Sequence, residues 1–509
     1  MLSRYIAILP FALASASSVS AFDFAELEAR AKALSGAPYV EAGKLPPILS
    51  DLNYDQYRAI QRSSEGTLFA GAKEPSPFVI EFFHPGYLYK KPVLINLVDP
   101  MTRQAHPFVF SKKYFNYSKL GLEESFGEEE ISGFAGFKIA HPLSEGPMNY
   151  NEIGSFLGSS YFRLLGMDQR YGLSARGLAI NTSVPDQEEE FPAFVEFWIV
   201  EPRVGDTFLE VFALLDSPSA TGAFRFEIDP GISTDARIEV SLFFRNESVS
   251  IGLAPLTSMF WFGENHSPRP FADWRPEVHD SDGLLLKTSE GETIWRPLFN
   301  HHALRHTNFK ASNVGGFGLF QRDRNFEHFQ DLMNPYHLTP SAWIEPNGSW
   351  GEGGVKPVEI ASDSEVMDNI VTFFEPTPVP KSGESLNYAY TLSWKMLDEE
   401  QLSSNRVVST RIGEILQFPG TWRFVVDFEG PGLERLPPEV PVFAEITSSA
   451  NGYVSENKCF KNEKTGGWRV QFKLDTDNED VHPVELRCRL KLTNPEKILS
   501  ETWSYQWSR

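Results

Sequence analysis

Along most of this chain apolar and polar side chains alternate in short runs. In ELRCRLKL (485–492), Leu486, Cys488, Leu490 and Leu492 fall on one side of an extended backbone and Arg487, Arg489 and Lys491 on the other. A period of two is that of a half-buried strand. FVIEFFHPGYLYKKPVLINLVD (78–99) holds two strand-like runs around a Pro-Gly turn, and EFWIVEP, FLEVFALLD, FRFEID and IEVSLFFR continue at short spacing through residue 245. Such punctuation predicts an all-β chain of sandwich sheets. Helical spacing is rare. FDFAELEARAKALSG (22–36) has it and ends on a glycine, and NYNEIGSFLGSSYFRLLG (149–166) has it more weakly.

The pattern also divides the chain. After the proline-rich PTPVPKSGES (376–385), NYAYTLSW reads as a closing strand and KMLDEEQLSSNR as a polar connector. This predicts a large β-sandwich over 22–396, a linker over 397–406 and a small immunoglobulin-like β-sandwich over 407–509, with strands at TWRFVVDF, VPVFAEI, WRVQFKL and ELRCRLKL. Residues 1–21 have another character: one charge at Arg4, an apolar run from Tyr5 to Ala14, then small residues ending in Val19-Ser20-Ala21. They read as a cleavable secretory signal, the run being too short to span a bilayer, so the product is expected outside the cytoplasm from Phe22 onward.

Charge and cysteine content narrow the partners. A net charge of −22 opposes nucleic acid and anionic lipid surfaces. Two cysteines, Cys459 and Cys488, exclude a disulfide scaffold and a cysteine metal cluster. In an oxidising compartment they either bridge, a link worth about 3–4 kcal/mol in the chain-entropy model, or remain buried thiols. Aromatic residues make up 13% of the chain, and their flat faces suit both cores and sugar rings.

Candidate chemistry concentrates in residues 261–370, which carry seven of the 11 histidines and Trp261, Trp274, Trp295, Trp343 and Trp350. Long aromatic, Gly-bearing loops on a strand scaffold are typical of binding sites. The stretch RPEVHDSDG (275–283) gathers Arg275, His279, Asp280 and Asp282 in one turn. A calcium loop needs more alternating oxygen ligands and a late acidic one, and the adjacent His301 and His302 are poorly placed to share zinc on a strand, so no metal is expected. No cofactor motif stands in a supporting context. A catalytic carboxylate pair needs a second acid, for which ASDSEVMDNI (361–370) offers Asp363, Glu365 and Asp368, and periodicity does not choose among them.

Longer blocks carry a resemblance. YGLSARGLAI (171–180), LLDSPSATGA (214–223), GLAPLTSMFWFG (252–263), RPEVHDSDGL, GFGLFQRDRNFEHFQDL (316–332), PSAWIEP (340–346), DNIV (368–371) and SETWSYQ (500–506) resemble the osmoregulated periplasmic glucan biosynthesis proteins, types G and D. The ordinary secretion signal is closer to the G type. The resemblance spans essentially the whole mature chain. It implies a galactose-mutarotase-like large sandwich, a periplasmic location, no cofactor, and work on β-1,2-linked glucose chains made by an inner-membrane glucosyltransferase.

The resemblance further implies an anomer-inverting β-1,2-glucanase with Asp368 as general acid, Asp280 as general base and Tyr336 of PYHL lining the site, although MNPYHL departs from the more acidic loop of relatives. Sugar contacts are expected from Trp343 and Trp350, Arg322 and Arg324, and Tyr171 and Arg176, with His279 and Arg275 beside the base. The alternatives are a non-catalytic glucan-binding factor aiding synthesis, export or branching, and, on fold analogy alone, an aldose-epimerase-like enzyme. A homodimer is the expected assembly, twofold dimers being the commonest oligomers.

Overall fold

The computed structural model describes residues 21–41, 43–70, 76–122, 125–143, 150–266, 272–396, 404–476, 482–493 and 495–508. The signal-like segment up to residue 20 and most of the 397–406 connector lie outside the described residues.

Alternation along the chain becomes sheet. One sheet of 12 described strands runs from near the N-terminus through Val79–Phe83, Gly136–Pro142, Tyr150–Leu157, Tyr161–Leu164, Ser174–Arg176, Ile251–Ser258, Ile370–Pro376 and Gly353–Glu359. A second, of 15 described strands, contains the antiparallel series Ala193–Val200, Leu209–Asp216, Ala220–Asp229, Thr234–Phe244 and Ser385–Lys395. The inward faces of the two meet in one core holding Phe137, Phe156, Phe162, Phe197, Phe226 and Trp394. The two runs of residues 78–99 are both strands but enter different sheets: Val79–Phe83 pairs with Gly136–Pro142, and Leu94–Val98 lies parallel to Ala193–Val200.

The helix expected at 22–36 forms over Phe24–Ser35, capped by the Asp23 carboxylate on the Glu26 amide. The weaker helix expected over 149–166 does not form. Those residues make the strands Tyr150–Leu157 and Tyr161–Leu164, joined at Gly158 with φ +77. Ile153, Phe156 and Phe162 bury against the opposite sheet, and that burial outweighs a marginal helical spacing.

Beyond residue 404 the strands Arg406–Glu414, Thr421–Glu429, Trp468–Thr476 and Gly452–Lys461 form a separate sheet, which packs on Val442–Ser448, Val484–Thr493 and Thr502–Trp507. Within Val484–Thr493, Leu486, Cys488 and Leu490 face inward and Arg487 outward, as the alternation predicts. Both cysteines are free. Burial pushes the Cys459 thiol up to about 12 and the Cys488 thiol higher still.

The two parts share structure. Thr502–Trp507 pairs in parallel with Thr293–Pro297, so the 15-stranded sheet runs on into the C-terminal segment. The C-terminal core also takes in Leu285, Trp295 and Phe320 from the larger part. No helix among the described residues is long and apolar enough to cross a membrane.

Candidate active site

The acidic turn is held from several directions. The short strand Val278–His279 pairs with Phe260–Phe262, setting His279 opposite Phe260. The Asp280 amide donates to the Met259 carbonyl at 2.9 Å and the Asp282 amide to the Phe320 carbonyl at 2.8 Å. The Leu298 amide closes on the Asp282 carbonyl at 2.9 Å, and the Ser281 and Ser258 hydroxyls meet at 2.8 Å. Backbone hydrogen bonds thus hold the chain at Asp280 and again at Asp282, and the Asp280 carboxyl faces a groove of about 440 Å³.

Asp368 lines the same groove from the residues just before Ile370–Pro376. Its neighbour Asn369 is buried and bonds both ways to Phe260, accepting from the amide and donating to the carbonyl at 2.9 Å each. Phe260 pairs in turn with His279, so one strand residue links the two aspartate-bearing segments. The Asn of DNIV is the sequence signal for that anchor. Of the three acids in 361–370, Asp368 and Glu365 both line the groove with Asp280 and Asp363 does not; Glu365 is already engaged by Arg275 and the Tyr336 hydroxyl.

The two carboxyls sit in different surroundings. Burial and the charge of Asp368 push Asp280 up to about 7, against the pull of Arg163 and His279. Asp368 is also raised by burial but lies beside Arg163, at 3.9 Å, with 38% of its side chain exposed. From the sequence, Arg275 is expected beside the base. Instead the buried Arg275 guanidinium is engaged by Asp273 at 2.9 Å, Asp331 at 3.1 Å and Glu365 at 2.6 Å, tying three loops together at the groove rim. The cation that faces the aspartates is Arg163, which sequence reading missed because an Arg in a strand carries no distinguishing pattern.

Tyr336 lines the groove, and its hydroxyl donates to Glu365 at 3.2 Å. Burial, with the charges of Glu365 and Asp280, drives its acidity far down and keeps it a neutral donor. Tyr171 also lines the groove and donates to Glu152 at 2.7 Å. At Gly172 a Cβ would stand 3.2 Å from an Asp280 carboxyl oxygen and closer still to Thr339, so a side chain would crowd the aspartate.

The other expected sugar contacts lie elsewhere. His279 is fully buried behind the turn, between Glu277 at 3.0 Å and Gln321 at 2.9 Å. Burial opposes its charge, but the Glu277 hydrogen bond and the acids around it outweigh that and hold it up at about 9. Arg176 is buried against Glu189 and the rings of Tyr161 and Phe191. Arg324 donates to the carbonyls of His337 and Thr339. Arg322 forms a bidentate pair with Glu501, at 2.6 and 3.0 Å. Trp343 packs edge-on to Phe320, and Trp350 sits among Phe317, Phe374, Tyr388 and Tyr390 with its Nε1 bonded to the Ala389 carbonyl. None of these six side chains lines the groove. Aromatic and Arg faces are equally useful in cores and across seams, and sequence does not separate the two uses.

One set could in principle ligate a metal: atoms of Glu277, Asp323 and His328 lie within 4.8 Å of one another. Glu277 accepts from His279, and Asp323 pairs with His328.

Residues 22–507 match the family model described as "Periplasmic glucan biosynthesis protein, MdoG". A curated relative named "Glucans biosynthesis protein G" from Ralstonia nicotianae is 42% identical over 98% of this chain and 99% of its own. Another of that name, from Pseudomonas paraeruginosa, is 40% identical over 96% of this chain and 94% of its own. Among solved structures, a collagen adhesin from S. aureus aligns with 54% of this chain and 87% of its own at 4% identity, with a TM-score of 0.13, too low for a comparison of fold.

Proposed function

This chain belongs to the MdoG family of periplasmic glucan biosynthesis proteins, and we propose that it cuts β-1,2-linked glucan in the periplasm with inversion at the anomeric carbon. The observation that carries this reading is one groove lined by Asp280 and Asp368, from segments joined through Phe260 and Asn369. Glycoside cleavage needs a proton for the departing oxygen and an activated water on the opposite face of the sugar. Asp368 gives its proton to the glycosidic oxygen as the C1–O bond breaks. Water forms the new bond to C1, and its proton passes to Asp280, directly or through a sugar hydroxyl. The neutral Tyr336 hydroxyl is available to orient the sugar or that water.

The protonation states set the working pH. With its acidity near 7, Asp280 is substantially ionised only around neutrality and above. Like charges in one groove couple the pair, so ionising one carboxyl favours the protonated form of the other. A bound glucan covers the exposed Asp368 carboxyl and displaces water from it, which raises its affinity for the proton it must donate. The acid role is therefore best met in the complex.

Incubating the purified protein with linear β-1,2-glucan and following chain length by chromatography tests the reading. Shorter oligosaccharides of inverted anomeric configuration are expected. Glucan bound and returned uncut would instead support a binding or assembly factor.

A further inference from the structure

We propose that the C-terminal segment is a working part of the site: Glu501, through Arg322, positions the turn that carries Asp280. The inference rests on the glucanase reading for its kinetic test, but its geometry stands apart from it.

Arg322 and Glu501 are both almost fully buried, and their bidentate contact crosses from the larger part of the chain to the C-terminal strands. The guanidinium lies 3.7 Å from the centre of the Trp295 ring and also donates to the Val407 carbonyl at 3.2 Å. Glu501 accepts in addition from the Val407 amide at 2.8 Å. Together these bonds fix the backbone at residue 322 against the first C-terminal strand, and a planar, doubly bonded Arg is the stiffest ionic link available for the purpose.

That backbone is the support of the acidic turn. The amides of Arg322 and Asp323 both donate to Asp282 Oδ2 at 2.9 Å. The preceding Gln321 holds the His279 ring and donates to the His279 carbonyl at 2.8 Å, and the Phe320 carbonyl receives the Asp282 amide. Asp280 is thus flanked by two residues that are both bonded to residues 320–323, and that stretch is pinned by Glu501. Asp282 Oδ1 is buried without a hydrogen-bond partner among the described residues, so the turn has little besides the two amides to fix this side chain. Arg322 and Glu501 touch no groove surface and are positioning residues.

Glu501→Gln keeps the volume and removes the charge. Expected are a kcat on β-1,2-glucan at least tenfold lower, KM within about threefold of the parent, and a displaced acid limb in the pH–rate profile. Amide hydrogen exchange should accelerate at least tenfold in 278–284 while 209–244 in the large sandwich stays unchanged. A uniform loss of thermal stability with parent kcat and pH profile would overturn the proposal. Should Glu501→Gln fail to fold, the double variant Arg322→Met/Glu501→Met leaves no lone buried charge and decides the matter. Folded double variant with parent kcat and parent exchange in 278–284 refutes positioning; a lowered kcat or faster exchange there supports it. A parent protein that cleaves nothing sinks the glucanase reading alone, and the exchange measurement then judges the clamp.

Discussion

The turn 279–283 has two sides that share chemistry and differ in solvent. On one side Asp280 opens into a groove of about 440 Å³; on the other His279 and Asp282 border a cavity of about 40 Å³ at the seam with the C-terminal strands. In the groove Asp368, Arg163 and Tyr336 gather around Asp280 and leave room for a ligand. At the seam Glu277, His279, Gln321, Asp323, Arg322 and Glu501 bond chiefly to one another and to backbone. Burial pushes both aspartates up, to about 7 for Asp280 and about 6 for Asp282, yet only Asp280 faces space that a substrate can fill. A perturbed carboxyl therefore marks a catalytic group only together with an opening. Within one turn of chain, one acid faces open space and the other is sealed against backbone donors.

The sharpest way to break this contrast is to neutralise the groove acids. Asp368→Asn and Asp280→Asn should each lower glucan cleavage by about a hundredfold or more while leaving folding and glucan binding in place. If both variants degrade β-1,2-glucan at the parent rate, the groove side has been misread.

The next effect is on pH. If Asp280 is the base and bound glucan keeps Asp368 protonated, kcat should climb as pH rises through about 7 and be lost as pH falls below it. Arg163 lowers the pKa of both aspartates, so Arg163→Gln should move that limb upward by about half a unit or more. A limb unmoved in Arg163→Gln would mean that this cation does not sense the pair.

Trp350 gives the smallest effect on activity. Packed beneath the sheet, it should cost ~2–4 kcal/mol of stability when replaced by Ala, with glucan affinity unchanged. Calorimetry beside a binding titration checks this, and weakened binding at parent stability would return the residue to the groove.

The all-β class, the Phe24–Ser35 helix and the inward face of Leu486, Cys488 and Leu490 were legible in the chain, because period and capping act over a few residues. The run at 149–166 was not, because marginal helical spacing yields to burial against strands far away in sequence. The turn 275–283 could be singled out from composition, and Asp368 from its motif. Their meeting in one groove depended on Asn369 and Phe260, a contact across 109 positions that no local pattern encodes. Arg322, Arg324, Trp343 and Trp350 look the same in sequence whether they face a sugar or a seam. Local spacing determined which segments become strands and which turn is acidic. Only tertiary packing decided which polar groups face open space and which are sealed against one another, since exposure is set by the elements that cover a residue and not by the residue's own neighbours in the chain.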